Sequence, residues 1–426
     1  MSGPLVARVA GQASRRGLIL RVPSAESLLT DVETWLTAEY ADSIRTTHRH
    51  TLESGDGELT VTLHPAAREL VVSASDTGRV TVIADTHDVG PGYHRFIARI
   101  LERMGVDLSI AWDRPESDDD ATDGSFAVTF LDRAATERAY LGWLGRTLVN
   151  ARSQRLSGGP GLHVGMPDGT RYTFDGAIAT VLGPRDDAWL DGAVTDTRIA
   201  TDITAWWADA ADGQYLLNRA LCLMWLEVRW RAPAGDTERG LLDEVHRLLS
   251  KAFPLDPTLA YPWHAWAELV ALRRLDDPMA HQVTARAARE PEAAPIGYRR
   301  APVTISHEGW GLEIPGAFAE RRTAEEWWGG GAGRNITIAA VSSGDMSARD
   351  FVQQFGGDLG PDAIEHRAGG VMGRAMISTD GSSGVEVGVL DGFSAVVGSG
   401  AAIRIVFDDP GDYQWAIDTW RSLRPV

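Results

Sequence analysis

A short polar segment contains the residues best suited to chemistry. Asp85, His87 and Asp88 lie at the end of a predicted strand, and His94 follows beyond a Gly-Pro-Gly turn. Carboxylates and imidazoles at a strand end can bind Zn²⁺ or another transition metal. One hypothesis is therefore a metal-dependent hydrolase that uses Asp85, His87 and His94. The absence of an HExxH spacing favours the alternative, a polar turn without metal whose aspartate caps the helix that begins at Pro91.

Tryptophans supply the candidate binding residues. Seven of the 15 tryptophans lie between positions 189 and 266, and two of them, Trp206 and Trp207, are adjacent. Neighbouring residues do not share one helical face, so we expect at least one of the pair to be exposed. Tryptophan is enriched at binding hot spots, which makes Trp206 and Trp207 the candidate protein-binding residues. Burial in a helical core is the alternative.

Other motifs point away from catalysis. The run Gly329–Gly333 superficially looks like a phosphate-binding loop, but no Lys-Ser/Thr follows it, and a hairpin is the better interpretation. Cys222 lies in an apolar segment, as an inert packed thiol would. Lys251 is the only lysine, which is typical of GC-rich genomes such as those of actinomycetes. The chain has no GxSxG and no kinase motifs, so we predict no catalytic residue and no cofactor.

The hydrophobic pattern predicts an α+β protein with three parts. Residues 1–190 form the first part, with an amphipathic helix at 25–40 and a second helix from Pro91. Between these helices, alternating patterns and turn residues predict a four-stranded antiparallel meander. Its strands are expected at 44–53, 58–64, 69–75 and 79–84.

The second part, residues 191–290, has helical periodicity and is rich in tryptophan. Residues 214–231 are apolar almost all round, which predicts a buried helix, and another helix is expected at 236–251. The segment 252–257, AFPLDP, is followed by Trp263, Trp266 and Leu269. This segment resembles the junction between two tetratricopeptide-repeat units and implies a helical hairpin. The proline-rich stretch 289–302 is the predicted linker.

The third part, residues 303–426, is predicted to be a separate α+β domain. It contains Trp310-Gly311-Leu312-Glu313-Ile314-Pro315, a Trp327-Trp328 strand, a late strand at 402–407 and a closing helix that ends in Ser422-Leu423-Arg424. This order of elements resembles the Mog1/PsbP-like fold. Members of that group are mostly binding and assembly factors, so the resemblance implies a binding role. It transfers no functional residue to this chain.

Composition narrows the class of partner. The 426 residues include 41 basic and 59 acidic ones, which gives a net charge of −18. This negative charge disfavours nucleic acid and anionic membranes as partners, because both are negatively charged themselves. A basic protein is the class of partner that it favours. The single cysteine and the lack of an apolar run long enough for a membrane span or secretory signal predict a cytoplasmic location. We therefore predict a non-catalytic protein-binding component, such as an immunity protein or a defence-system accessory subunit. The metal-dependent hydrolase is the alternative.

Overall fold

The protein is a mixed α+β structure whose residues group into two compact units. The computed structural model describes residues 6–14, 22–51, 56–113, 125–126, 133–157, 162–166, 170–172, 177–323, 325–356, 362–381 and 386–426. Unit 1 comprises Met1–Asp168, Phe174–Glu227 and Gly240–Ile296. Unit 2 comprises Gly169–Thr173, Val228–Arg239 and Gly297–Val426. The division at 296–297 falls within the predicted linker, and the three-part boundaries 1–190, 191–290 and 303–426 stay a prediction.

Unit 1 begins with a mainly antiparallel sheet and two helices. In chain order these are β1 (Val6–Ala13), α1 (Ala25–Tyr40), β2 (Thr46–Thr51), β3 (Gly57–Thr62), β4 (Leu70–Ala74), β5 (Arg79–Asp85), α2 (Pro91–Asp107), β6 (Ile110–Trp112) and β7 (Ser125–Phe126). The strand order is β2-β3-β4-β5-β1-β6, with β7 parallel to β1. The predicted meander is confirmed as β2 to β5. Strand β1, which pairs antiparallel with β5, was not predicted from the sequence.

Helix α1 shows why its bounds could be predicted. The Ser24 hydroxyl accepts a hydrogen bond from the Ser27 backbone N–H at 3.3 Å, which caps the helix at its predicted start. Its apolar residues recur at helical spacing, and Leu28, Val32 and Leu36 are buried. The helix contacts β3 and β4, so its apolar face packs against the meander.

The rest of unit 1 is mostly helical. Its elements are α3 (Arg133–Leu156), β8 (His163–Val164), β10 (Ala177–Thr180), β11 (Arg185–Asp186), α4 (Asp187–Thr195), a 3₁₀ helix (Thr197–Ile203), α5 (Gly213–Leu226), α6 (Asp236–Leu255), α7 (Trp263–Arg273) and α8 (Pro278–Ala287). Strand β9 (Thr170–Tyr172), which lies between β8 and β10 in the sequence, belongs to unit 2. Helices α7 and α8 pack together, but α8 was not predicted from the sequence. The helical hairpin predicted around 252–257 corresponds to α6 and α7, where Trp266 Nε1 donates to His246 Nδ1 at 3.0 Å. Their resemblance to a tetratricopeptide repeat stays a prediction.

The predicted helix 214–231 was too long. Helix α5 ends at Leu226, with Glu227 as its C-cap, and Trp230 adopts the left-handed region with φ of 54°. A non-glycine residue rarely adopts this conformation, and apolar periodicity alone does not reveal it. The apolar sequence pattern therefore continues beyond Leu226, whereas the helical backbone ends there.

Unit 2 contains two antiparallel sheets. After a 3₁₀ turn (Tyr298–Arg300) come β12 (Val303–His307), β13 (Trp310–Ile314), β14 (Ala319–Arg322), β15 (Trp327–Gly331), β16 (Arg334–Ser342), α9 (Ala348–Phe355), β17 (Ile364–Ala368), β18 (Val371–Asp380), β19 (Val387–Val396), β20 (Ser399–Phe407), a 3₁₀ turn (Pro410–Asp412), α10 (Tyr413–Arg421) and β21 (Arg424–Pro425). The sheet orders are β14-β15-β16-β20-β19-β18-β17 and β21-β13-β12-β9.

Local signals located most of these elements. The sequence pattern predicts strands at 303–307 and 310–314 and a short helix at 348–355 capped by Ser347, and β12, β13 and α9 have these bounds. The predicted hairpin at the glycine run is confirmed, because β15 and β16 pair directly across Ala332 and Gly333, which both have positive φ. The sequence pattern also predicts separate strands at 384–390 and 394–399, whereas the structure has one strand there, β19. The Mog1/PsbP-like resemblance of this unit stays a prediction.

Among the described residues, no helix is both long and apolar enough to cross a bilayer.

Candidate functional site

Unit 2 contains a cleft of about 580 Å³ that is lined by arginines, tryptophans and prolines. We call it the arginine–tryptophan cleft. Its lining residues are Arg229, Trp230, Arg299, Arg300, Ala301, Pro302, Glu313, Ile314, Pro315, Gly316, Ala317, Arg334, Trp415, Asp418, Thr419 and Ser422. Its volume lies in the range of typical ligand-binding pockets.

Two irregular segments of the chain bring Trp230 close to Arg299 and Arg300. The chain turns sharply after α5 because Trp230 is left-handed, and Gly297, with φ of 117°, precedes the 3₁₀ turn that carries Arg299 and Arg300. A Cβ at Gly297 would overlap the Trp230 indole, so this close approach requires glycine. The two segments are distant in sequence but meet at one side of the cleft.

Two arginines of the cleft lining share one carboxylate, that of Glu320. Arg229 donates to Glu320 Oε1 at 3.0 Å, and Arg299 donates to the same oxygen at 2.5 Å. Trp327 Nε1 donates to Glu320 Oε2 at 3.3 Å. Arg299 is buried, and the Arg229 side chain is 17% exposed. Burial, followed by the nearby positive charge of Arg299, lowers the pKa of Arg229 to about 10.

Two tryptophans form walls with arginines stacked on them. The Arg300 guanidinium lies 4.0 Å from the Trp230 ring centroid, and the Arg334 guanidinium lies 4.6 Å from that of Trp415. These distances are typical of cation–π contacts. Asp412 accepts a hydrogen bond from Arg334 Nε at 2.6 Å, and this bond lowers the pKa of Asp412. Both indoles are half-buried, so each is fixed in place and still reaches the cleft.

Helix α10 and strand β13 supply the acceptors of the cleft. Glu313 and Asp418 are both exposed, and the Glu313 backbone N–H donates to Ser422 Oγ at 3.1 Å. The described lining thus combines guanidinium donors, carboxylate acceptors, hydroxyl groups and flat apolar walls. It includes no histidine, cysteine or lysine. This arrangement can bind a polar ligand with an apolar part, and among these residues we find no nucleophile paired with a base.

The candidate metal ligands in unit 1 have other contacts. Asp85 accepts a hydrogen bond from Arg68 at 2.9 Å. His87 Nε2 lies 3.4 Å from Asp88 Oδ1, and its ring packs against Trp143 with centroids 4.8 Å apart. Within the described part of the chain, no group of three or more histidine, cysteine, aspartate or glutamate side chains is placed to hold a metal ion. The structure therefore gives the metal-site hypothesis no support.

His94 lies in a buried polar contact on α2. Its Nδ1 is 2.7 Å from Thr86 Oγ1, and burial lowers its pKa to about 4. The expected aspartate cap of α2 was wrong, because Gly90 occupies the N-cap position and makes no side-chain cap bond. Pro91 at the first helical position fixes the start of the helix instead.

The two candidate protein-binding tryptophans differ in burial. Trp206 is only 4% exposed and packs against Tyr215, with ring centroids 4.1 Å apart. Its backbone pairs with the turn before α2, where its N–H donates to the Val89 carbonyl at 2.8 Å. Trp207 is half-buried, with its ring centroid 5.6 Å from that of Tyr140. Trp207 is thus the member of the pair that could contact a partner, and this role stays a prediction.

The arginine–tryptophan cleft was not predicted from the sequence. Its residues come from 229–230, 299–302, 313–317, 334 and 415–422, which no single motif joins. The alternation of Arg229, Trp230 and Arg231 after an apolar helix was one available signal. The Arg299-Arg300 pair was a second signal, but it fell within the predicted linker.

Comparison with known proteins adds little to this description. No protein-family model and no curated protein matches the chain. A solved structure from Bacteroides thetaiotaomicron VPI-5482 is similar over 28% of this chain and 45% of that chain, with 11% identity and a TM-score of 0.25. The chain thus spans less than half the length of that protein, and a likeness this weak carries no argument about fold or function.

Proposed function

We propose that this protein is a non-catalytic component that binds another protein, and that the arginine–tryptophan cleft contacts the partner. One observation carries the proposal: two half-buried tryptophans, Trp230 and Trp415, line a single cleft, and an arginine stacks on each. Tryptophan and arginine are the residues most enriched at binding hot spots. Such residues cluster in well-packed pockets, as they do here.

Preorganisation supports this choice of surface. Arg300 is held against Trp230, and Arg334 is held by both Trp415 and Asp412. Ordering a free, rotamer-rich side chain costs about 0.5–1.5 kcal/mol on binding. Because these side chains are already ordered, a partner would avoid much of that cost.

The described residues give a metal-dependent hydrolase no support. Its three candidate ligands contact different partners, and within the described residues no group of three or more possible ligands is placed to hold a metal ion. Binding is therefore the function that the described side chains support best.

The net charge of −18 supports a basic partner. Long-range attraction of this kind mainly raises the association rate and weakens as salt screens it. An immunity protein or a defence-system accessory subunit in the cytoplasm is the class of binding protein that we propose. The acidic charge and the modular build of the chain support that class.

The test is co-purification from the native host with tagged full-length protein, followed by calorimetry with the partner that it identifies. We expect Trp415→Ala to weaken binding by at least about 2 kcal/mol, which is roughly a thirtyfold loss of affinity. Tyr413→Ala is the matched control, because Tyr413 is on the same helix, is 49% exposed and does not line the cleft.

The same assay separates the cleft from Trp207. If Trp207→Ala weakens binding and Trp415→Ala does not, the contact surface lies in unit 1 and the proposed cleft is wrong. If no protein is retained more strongly by the wild type than by both variants, the binding proposal itself fails. Added salt should slow association with a basic partner, whereas an acidic partner would contradict the electrostatic part of the proposal.

A further inference from the structure

We infer that a buried cluster of side chains in unit 1 binds a small inorganic anion, of which chloride is the one we expect. The cluster consists of His64, Tyr93, Trp206, Tyr215 and Arg219, and we call it the buried donor cluster. All five residues are between 0 and 7% exposed. The cluster shares no residue with the arginine–tryptophan cleft, so this inference does not depend on the proposed function.

Four aromatic rings of the cluster form a closed circuit. The His64 ring centroid lies 6.1 Å from that of Tyr93 and 6.1 Å from that of Tyr215. The Trp206 centroid lies 6.1 Å from that of Tyr93 and 4.1 Å from that of Tyr215. Arg219 joins the circuit because its Nη1 donates to the Tyr215 hydroxyl at 3.3 Å. The turn between β3 and β4, helix α2, the segment before α5 and α5 itself therefore meet at one place.

Four polar atoms of the cluster have no hydrogen-bond partner among the residues that the structure describes. They are His64 Nε2, Tyr93 Oη, Trp206 Nε1 and Arg219 Nε. Burying a polar atom without a partner destabilises the folded state, so buried polar groups in proteins are nearly always paired. Four such atoms around one closed circuit therefore indicate a bound ligand.

The unpaired atoms require a ligand that accepts hydrogen bonds. His64 Nδ1 accepts from the Ala66 backbone N–H at 3.1 Å, so in the neutral ring Nε2 carries the proton and is a donor. Trp206 Nε1 and Arg219 Nε are also donors, and the Tyr93 hydroxyl can donate. One ligand can thus receive four donors. This suits an anion, because hydrogen bonds to a charged acceptor are stronger than those to a neutral one.

The charges around the cluster also favour an anion. Arg219 pairs with Glu244 at 3.1 Å, and Arg45 pairs with Glu227 at 2.7 Å. The two carboxylate side chains are 24% and 32% exposed, so water screens them more than it screens Arg219. Burial, followed by the positive charges of Arg219 and Arg45, lowers the pKa of His64 well below its usual value. The imidazole is therefore neutral, and it lies in a positive electrostatic potential.

Burial of the whole cluster limits the size of the ligand. An ion bound there is surrounded by protein side chains on every side of the circuit. A monatomic anion such as chloride needs little space and accepts hydrogen bonds from any direction. It can therefore be shared by donors that come from four separate segments of the chain.

The first experiment locates the ion in crystals of the full-length protein. Sodium bromide replaces sodium chloride, because bromide is close to chloride in size and charge and gives an anomalous X-ray signal. We expect an anomalous peak in contact with His64 Nε2, Trp206 Nε1 and Arg219 Nε. No anomalous peak at this position, or a water molecule in its place, would overturn the inference.

The second experiment measures affinity through the melting temperature. Sodium chloride is titrated against sodium gluconate at constant ionic strength, because an ion that binds only the folded state raises its stability. Tyr93→Phe removes one hydroxyl from the cluster and should weaken chloride binding at least about tenfold. Tyr140→Phe is the matched control, because Tyr140 is also buried in unit 1 but its hydroxyl bonds Thr204 Oγ1 at 2.9 Å. We expect this control to keep the chloride affinity of the wild type.

The two variants also differ in gluconate alone. Tyr93→Phe should then be at least as stable as the wild type, because it removes a buried hydroxyl that has no partner in the described structure. Tyr140→Phe should be less stable, because it removes a hydroxyl that is paired. Equal chloride affinities in Tyr93→Phe and the wild type would overturn the inference, as would a wild type whose melting temperature does not respond to chloride.

Discussion

Acid should destabilise unit 1 through His94. This side chain is 1% exposed on α2 and lies 2.7 Å from the Thr86 hydroxyl, and burial lowers its pKa to about 4. In the unfolded chain its pKa is about 6.5. Between these two values the unfolded state binds more protons, so the free energy of unfolding falls as the pH drops from about 6.5 to about 4.

The magnitude follows from the gap between the two pKa values. At about 1.4 kcal/mol per pKa unit, His94 alone removes about 3 kcal/mol of stability across this range. His64 adds an effect in the same direction, because burial also holds its pKa well below the usual value. The assay must therefore compare variants, since the wild type reports the sum of both histidines and all carboxylates.

The perturbation is His94→Asn, which keeps a polar atom near Thr86 but does not titrate. Urea unfolding between about pH 7.5 and about pH 4.5, with hydrogen exchange of α2 as a local readout, measures stability in each variant. We expect the variant to lose about 2–3 kcal/mol less than the wild type on acidification. His48→Asn, at an exposed position on β2, is the matched control and should follow the wild type. Equal losses in His94→Asn and the wild type would refute the reasoning.

Three further predictions concern packing and charge, and each is measured by thermal or urea unfolding. Glu320→Gln removes the carboxylate that Arg229 and Arg299 share and should cost about 3 kcal/mol, whereas Glu365→Gln, in an exposed pair, should cost less than about 1 kcal/mol. Similar losses from both would show that the shared pair is solvated. Gly92→Ala should destabilise unit 1 by about 1–3 kcal/mol because its Cβ would overlap the Ala208 carbonyl, and an unchanged stability would disprove that contact. Gly240→Ala should instead stabilise α6 by about 0.5–1 kcal/mol, because no atom lies within 4 Å of the added Cβ, and a loss of stability there would contradict the open geometry.

Local patterns determined many of the elements. Ser24 and Ser347 each precede helical spacing of apolar residues, and both cap the helices that were predicted there. The hairpin at Ala332-Gly333 likewise follows from the conformational freedom of glycine between two alternating segments. These features depend on residues a few positions apart, so the sequence contains the physical cause within a short window.

The candidate site depended on contacts between distant residues. Arg229 and Arg299 share Glu320, and Arg334 meets Trp415, across separations that hydrophobic periodicity does not report. Sequence spacing also left open which of Trp206 and Trp207 is exposed. The backbone of Trp206 pairs with the turn before α2, and this pairing places its indole in the core. Composition and periodicity therefore determined the fold class and many elements, whereas the tertiary structure decided which charges meet and which indoles are buried, because burial and ion pairing depend on distances in space.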